Sequence, residues 1–361
     1  MLVDNHIIET SSSGTTLKAA VKRYRPPNGG TNDKPASGGY ILVFAHGTGF
    51  RNEHWEITIR RIFTLARGVS SRIRILEAWA VDAQTHGASA TMNEETIEAP
   101  DFNYPIQDYA EACANVYNSL LRPTIRDSED IHKLILIGHS AGASAAALST
   151  AFCDHVPFHA MILVEPTVWP AHITNTHSPT FILASKTIPR RRDSWSSKAE
   201  ARAYLKKRAP WALWDHRILD IYIEHGIVPH PTKKGGVSLA CTPRHEAMPF
   251  ITGDSVVPLT ELDKTHKIIP IHLVYGERND LFTREKQDSL QQGRKFASIT
   301  RIPGAGHLVV QEAPDKVGDV IFNILRDSAQ RSGVVPHVFN NEMKLMSEPD
   351  PNISVASYIA V

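Results

Sequence analysis

The chain has 361 residues, 42% of them hydrophobic and 21% charged, a composition that excludes a disordered or fibrous protein and allows a large buried core. Its 39 Lys and Arg face 38 Asp and Glu, so a net charge of +1 gives no electrostatic basis for wholesale binding to nucleic acid or to an anionic membrane. Cys113, Cys153 and Cys241 are odd in number and far apart without C-x-x-C spacing, which argues against a disulfide framework and a structural zinc site.

Met1 to Thr10 carries Asp4, His6 and Glu9 where a signal peptide needs an apolar core, and no apolar run approaches the length of a membrane span. An intracellular protein is expected, cytoplasmic or peroxisomal, although Ile359-Ala360-Val361 does not match the Ser-Lys-Leu type of peroxisomal address. Val3 to Thr10 and Leu17 to Arg25 read as strands around a Ser/Gly turn, an antiparallel opening to a sheet, followed by the loop Pro26 to Gly39. Continuous apolar runs bounded by turn residues then recur at Tyr40 to Ala45, Ile73 to Val81, Lys133 to Ile137, Ala160 to Val164, Ile271 to Tyr275 and Ser298 to Ile302. Strands buried on both faces of a parallel sheet read this way. Ile106 to Leu121 and Lys316 to Leu325 have helical spacing between them, so the fold class is α/β, a mostly parallel central sheet flanked by helices. The alternation fails from Lys186 to Lys267, which is expected to be an inserted, mostly helical cap. The core then comprises 1–185 and 268–332, and 333–361 an irregular C-terminal extension.

Gly138-His139-Ser140-Ala141-Gly142 follows one predicted strand and precedes the helix-favouring Ala143 to Ala151. This is the strand, sharp turn and helix of a nucleophile elbow, whose glycines leave room beside a serine held above the sheet. A serine hydroxyl needs a base, and Pro303-Gly304-Ala305-Gly306-His307 places His307 in a Gly-rich loop after the last strand. Phe44 to Phe50, after the third strand, carries Thr48, whose backbone amide is expected to form an oxyanion hole with that of Ala141, while His46 braces the loop.

Two carboxylates compete to orient His307. Asp280 follows the penultimate strand in the usual order of serine, acid and histidine, but it stands one residue late after Gly276, leaving Asn279 at the usual position. Glu165 ends the strand after the nucleophile abruptly, before Pro166, and is favoured, with Asp280 as the alternative.

The His46-Gly47 loop, the Ser140 elbow and the His307 loop, in this order over nearly the whole chain, resemble the α/β-hydrolase superfamily. In the cap, Arg192-Asp193-Ser194-Trp195, Tyr204-Leu205, Trp211 to Trp214 and Ile218 to Gly226 are similar to a subgroup of fungal secondary-metabolite (toxin-biosynthesis) hydrolases. That subgroup resembles the peroxisomal acyl-CoA hydrolases of mycophenolic acid formation, whose triad acid follows the strand after the nucleophile and so matches Glu165. The resemblance implies hydrolysis of an ester or a thioester, a CoA thioester among them, of a bulky hydrophobic secondary metabolite. No organic cofactor or metal is expected, and nothing specifies an oligomeric state.

Between Lys186 and Arg217 ten Lys and Arg face three Asp and Glu, a local excess of +7 that could attract the phosphates of coenzyme A or simply solvate a lid. Trp195, Trp211 and Trp214 are candidate walls for an acyl chain or else cap core. Competing functions are carbon-carbon bond cleavage or cyclisation on a polyketide, and a ligand receptor of low turnover that keeps the fold.

Overall fold

A computed structural model of the chain describes residues 1–11, 14–27, 38–68, 73–125, 131–173, 179–252 and 256–331. The expected C-terminal extension and most of the loop after the second strand lie outside the described residues. Eight strands form one sheet in the order β1-β2-β4-β3-β5-β6-β10-β11. They are β1 (Leu2–Thr10), β2 (Leu17–Arg25), β3 (Tyr40–Ala45), β4 (Ile75–Val81), β5 (Lys133–His139), β6 (Ala160–Val164), β10 (Ile271–Gly276) and β11 (Ser298–Ile302). β2 runs antiparallel to β1 and β4, and the pairs from β4 to β11 are parallel.

Period-two alternation sorts each strand's side chains between two cores. Ile41, Val43, Ala45, Leu134, Leu136, Met161 and Leu163 fill one, while Tyr40, Leu42, Phe44, Ile135, Ile137, Ile162 and Val164 fill the other. The first core is closed by the helices Ile106–Asn115 and Ala141–Ser149 and the second by Glu56–Ala66 and Pro314–Arg331. Each fully buried Val, Leu or Ile contributes roughly 1.5–3 kcal/mol, so the apolar runs fix the sheet.

β3 lies between β4 and β5, so the chain leaves it in one direction and returns on its other side. Such a reversal opens a crevice at the carboxyl ends of the strands. Register brings the ends level: Ala45 pairs with Gly138, His139 with Val164, and Val164 with Val274. The loops holding Thr48, Ser140, Glu165 and Asp280 therefore emerge side by side.

The segment between β6 and β10 contains helices Pro179–Thr187, Lys198–Leu205, His216–Gly226, Pro243–Thr252 and Val256–Thr265, and also a small antiparallel sheet of β7 (Ser194–Trp195), β9 (Val237–Leu239) and β8 (Ile227–Pro229). Leu259 and Leu262 pack in the first core beside the Ala141–Ser149 helix, so the packing changes before Val256 rather than at Lys267. The cap has its own apolar cluster of Trp195, Leu205, Trp211, Trp214, Ile218, Leu219 and Tyr222, which takes in Leu308 from the base and packs against Phe50 and Ile57. The Asp215 amide donates to the Gln311 carbonyl at 2.9 Å, and Arg217 bonds Asp315 at 2.6 Å.

Candidate active site

The elbow is dictated by close approach. A Cβ on Gly142 would stand 2.4 Å from the Ala45 carbonyl oxygen, and one on Gly138 would stand 2.2 Å from that of Gly142, so neither position admits a side chain. Between them Ser140 has φ 53°, and Glu165 at the end of β6 has φ 49°. No other non-glycine residue among those described has positive φ. Backbone strain of this kind costs on the order of 1–3 kcal/mol per residue and persists where the surroundings over-determine it, commonly at functional sites.

His307 Nε2 lies 3.0 Å from Ser140 Oγ, and its Nδ1 lies 3.0 Å from Glu165 Oε2. The carboxylate can only accept from Nδ1–H, which leaves Nε2 to accept the serine proton. Glu165 Oε1 accepts from the Gly276 amide at 2.6 Å, and Oε2 also lies 3.4 Å from Gln287 Nε2. Asp280 touches His307 at another atom: its Oδ1 accepts the His307 backbone amide at 2.8 Å. His139 Nε2–H donates to the His307 carbonyl at 2.9 Å, and the Phe282 ring stands edge-on to the imidazole at 5.0 Å. Two carboxylates thus reach one histidine, one through its ring and one through its backbone.

Thr48 and Ala141 line the cavity beside Ser140, and neither amide is hydrogen-bonded within the described residues. The loop before Ser140 is braced from beneath by neutral histidines. His46 Nε2 accepts the Ala83 amide at 3.1 Å while Nδ1–H donates to the Gly47 carbonyl at 2.8 Å. His86 Nε2 accepts the Gly49 amide at 2.9 Å. Burial holds the His46 imidazole down at about 4 and His86 well below its usual value, and burial with the neighbouring His307 holds His139 at about 3. Burial, then the nearby Glu53, push the Asp82 carboxyl up; it accepts the Asn52 and Ala88 amides at 2.7 and 2.9 Å. His86, His139 and Asp82 carry no local sequence signal for these roles, because each partner is distant in the chain or on the backbone.

Above Ser140 lies a cavity of about 190 Å³, walled by Phe50, Ile188, Trp211, Trp214, Phe282 and Leu308 among others. Trp195, a candidate wall, is instead buried in the cap's own cluster against Tyr204, with ring centroids 5.8 Å apart, and does not line the cavity. Nor do the cap cations converge on one anion site. Arg191 pairs with Glu246, Arg192 with Glu200, Lys198 with Glu224, Arg202 with Asp220, and Arg217 with Asp215 and Asp315. Four acids outside the stretch, Glu246, Glu224, Asp220 and Asp315, offset part of the excess of +7 counted along it. Among the described residues no group of His, Cys, Asp and Glu could hold a metal ion, and no helix is long and apolar enough to cross a membrane.

A strand-borne serine, a histidine loop and a cavity at the sheet's switch point define a hydrolase of the α/β type. The chain belongs to the alpha/beta hydrolase family, whose model matches residues 42–320. It is 24% identical over 324 residues to the peroxisomal membrane protein LPX1 of Saccharomyces cerevisiae, covering 84% of this chain and 81% of that protein. The structure of the peroxisomal α/β-hydrolase Lpx1 from Saccharomyces cerevisiae is similar with a TM-score of 0.74 at 19% identity, covering 95% of this chain and 92% of that one. E-2-(acetamidomethylene)succinate hydrolase is similar with a TM-score of 0.62 at 19% identity, over 88% and 98% of the two chains. The thioesterase domain from the curacin biosynthetic pathway has a TM-score of 0.57 at 16% identity, over 90% and 99%. At these identities the structural likenesses bear on the fold.

Proposed function

We propose that the protein is a serine hydrolase that cleaves an ester or thioester of a bulky apolar acyl group, with Ser140, His307 and Glu165 as its triad. The observation that carries this reading is the chain of two 3.0 Å contacts, Ser140 Oγ to His307 Nε2 and His307 Nδ1 to Glu165 Oε2, beneath a mostly apolar cavity. His307 takes the Ser140 proton as Oγ attacks the carbonyl carbon, and the amides of Thr48 and Ala141 stabilise the oxyanion. The carbon-oxygen or carbon-sulfur bond to the leaving group breaks, and that group leaves with the proton from His307. Water, deprotonated by His307, then releases the acid and restores Ser140. Glu165 holds the imidazole in its tautomer and stabilises its charged form; Asp280 positions the His307 backbone.

The fungal secondary-metabolite resemblance and the likeness to the peroxisomal LPX1 protein of yeast support a peroxisomal setting and make an acyl-CoA thioester the first natural substrate class to try beside simple esters. Intact-mass spectrometry after treatment with a fluorophosphonate tests the nucleophile. A single phosphonyl adduct on the native protein that is absent from Ser140→Ala is expected, and turnover of a long acyl ester or thioester should be lost with it. Label-free native protein would sink the reading, and product mass separates hydrolysis from cyclisation or carbon-carbon cleavage.

A further inference from the structure

Of the side chains lining the cavity, Arg191 supplies the single guanidinium and Glu246 the single carboxylate among the described residues; no lysine or aspartate joins them. They face each other in a two-pronged pair, Arg191 Nη1 bonding Glu246 Oε1 at 3.0 Å and Nη2 bonding Oε2. Both are largely buried, with side-chain exposures of 11% and 14%. The guanidinium lies over the Trp211 ring, 5.1 Å from its centroid. Burial works against the Arg191 charge, but Glu246 more than offsets it and raises the guanidinium above its usual value, so Arg191 stays charged. On the other side the Glu246 carboxyl packs against the loop that carries Thr48: a Cβ on Gly49, which has φ +81°, would stand 2.9 Å from Glu246 Cδ. Tyr222, another lining residue, presents a hydroxyl with no hydrogen-bond partner among the described residues.

A buried ion pair in an apolar wall is a poor device for stability, since apolar residues of similar size serve as well or better. It is a good device for recognition, because burial makes a mismatched polar group costly. After its two-pronged contact Arg191 still has N–H groups to donate and Glu246 has lone pairs to accept, while their charges cancel. An uncharged group that both donates and accepts matches this wall, whereas a carboxylate has no proton to offer Glu246 and finds no net positive charge to offset its burial.

We infer that Arg191 and Glu246 form a specificity subsite for a neutral hydroxyl or amide group on the acyl part of the substrate, and that they exclude acyl groups ending in an anion. The inference rests on the reading of Ser140 as the acylated nucleophile. Substrate selection then has two layers: the aromatic wall takes the apolar body of the acyl group, and the ion pair reads one polar substituent on it. Removing the charge of Glu246 alone leaves Arg191 as an uncompensated cation, which converts the subsite into one for a carboxylate.

The test compares three series of p-nitrophenyl esters, from butanoate to octanoate, ending in methyl, hydroxyl or carboxylate, on the full-length protein with rates normalised to fluorophosphonate-labelled Ser140. In the native protein the best hydroxyl-ended ester should exceed its methyl counterpart in kcat/KM by about tenfold, and the carboxylate-ended esters should be poorest. In Glu246→Gln the carboxylate-ended ester should gain about tenfold relative to the methyl-ended one. The double variant Arg191→Gln/Glu246→Gln, which keeps the wall neutral, should lose the hydroxyl preference without gaining the carboxylate. Calorimetric binding of the same esters to Ser140→Ala reads the subsite without turnover, so a failed nucleophile and a failed subsite give different results. Equal handling of the three ends by native protein, in turnover and in binding, or an unchanged rejection of carboxylate in labelled Glu246→Gln, overturns the inference.

Discussion

The base of the cavity and its cap use charge and burial in opposite ways. In the base, the polar groups around Ser140 and His307 find their partners on backbone atoms at the ends of neighbouring strands: the Gly276 amide on Glu165, the His307 amide on Asp280, the Gly49 amide on His86. In the cap, the cations pair with carboxylates on other helices, and most of these pairs are solvent-facing: Arg192–Glu200, Arg202–Asp220 and Lys198–Glu224 each expose both side chains by more than a third. Exposed pairs are worth about 0–1 kcal/mol, so the cap is held by its aromatic cluster and the base by register and hydrogen bonds. Position is therefore specified tightly under the scissile bond and more loosely above it.

The sharpest way to break this contrast is at the two carboxylates. Glu165→Gln keeps the shape but removes the negative charge and leaves one acceptor oxygen where the Gly276 amide and Nδ1–H use two, and kcat/KM is expected to fall by about three orders of magnitude or more. Asp280→Asn, which alters a contact to the backbone, should cost about tenfold. Steady-state kinetics on both variants, with comparable losses for the two or the larger loss in Asp280→Asn, would reverse the assignment of the triad acid. In the cap, Trp195→Ala empties the centre of a cluster and is expected to lower stability by about 3–5 kcal/mol in denaturant melts, leaving the preference among esters intact. Trp211→Ala should instead raise KM for long acyl chains, since that ring lines the cavity.

Acid should loosen the base. His46, His86 and His139 are buried and neutral when folded, whereas in the unfolded chain each takes up a proton near 6.5. The stability they contribute is complete above that pH and drains away as pH falls towards about 4, His46 alone accounting for on the order of 3 kcal/mol. Asp82 works in the opposite sense, because its raised value favours folding at low pH and loses that advantage as pH rises. Tm measured from pH about 7 to 4 should thus fall, and more steeply in Asp82→Asn; a flat profile would contradict the neutral histidines. The smallest effect is expected from His86→Leu, which orphans the Gly49 amide and should lower kcat by about threefold with little change in KM.

The parallel strands were legible because burial on both faces writes itself as continuous apolar runs, and the Ser140 elbow and His307 loop because their glycines are demanded by local close approach. Glu165 was only half legible. Both candidate acids follow neighbouring strands, β6 and β10, and what separates them, the positive φ of Glu165 and the distance to Nδ1, is set by packing. Arg191 appeared as one of a run of basic residues; its partner lies 55 positions further on, beyond any local count of charge. Trp195 and Trp211 looked equivalent for the same reason, since side-chain direction within the cap follows from the small β7-β9-β8 sheet rather than from spacing.

Because Leu308, next to His307, is packed inside the cap's own cluster, and Asp215 and Arg217 are fastened to Gln311 and Asp315, the cap is not a module that can be exchanged on its own. A chimera that carries a relative's cap on this base would set foreign side chains against Leu308, Phe50 and Ile57. Grafting a new specificity therefore means transplanting at least three segments together: the cap, the turn after β3 and the stretch from His307 to Asp315. Inheritance faces the same constraint, so variation in the cap is expected to travel with variation beside the histidine.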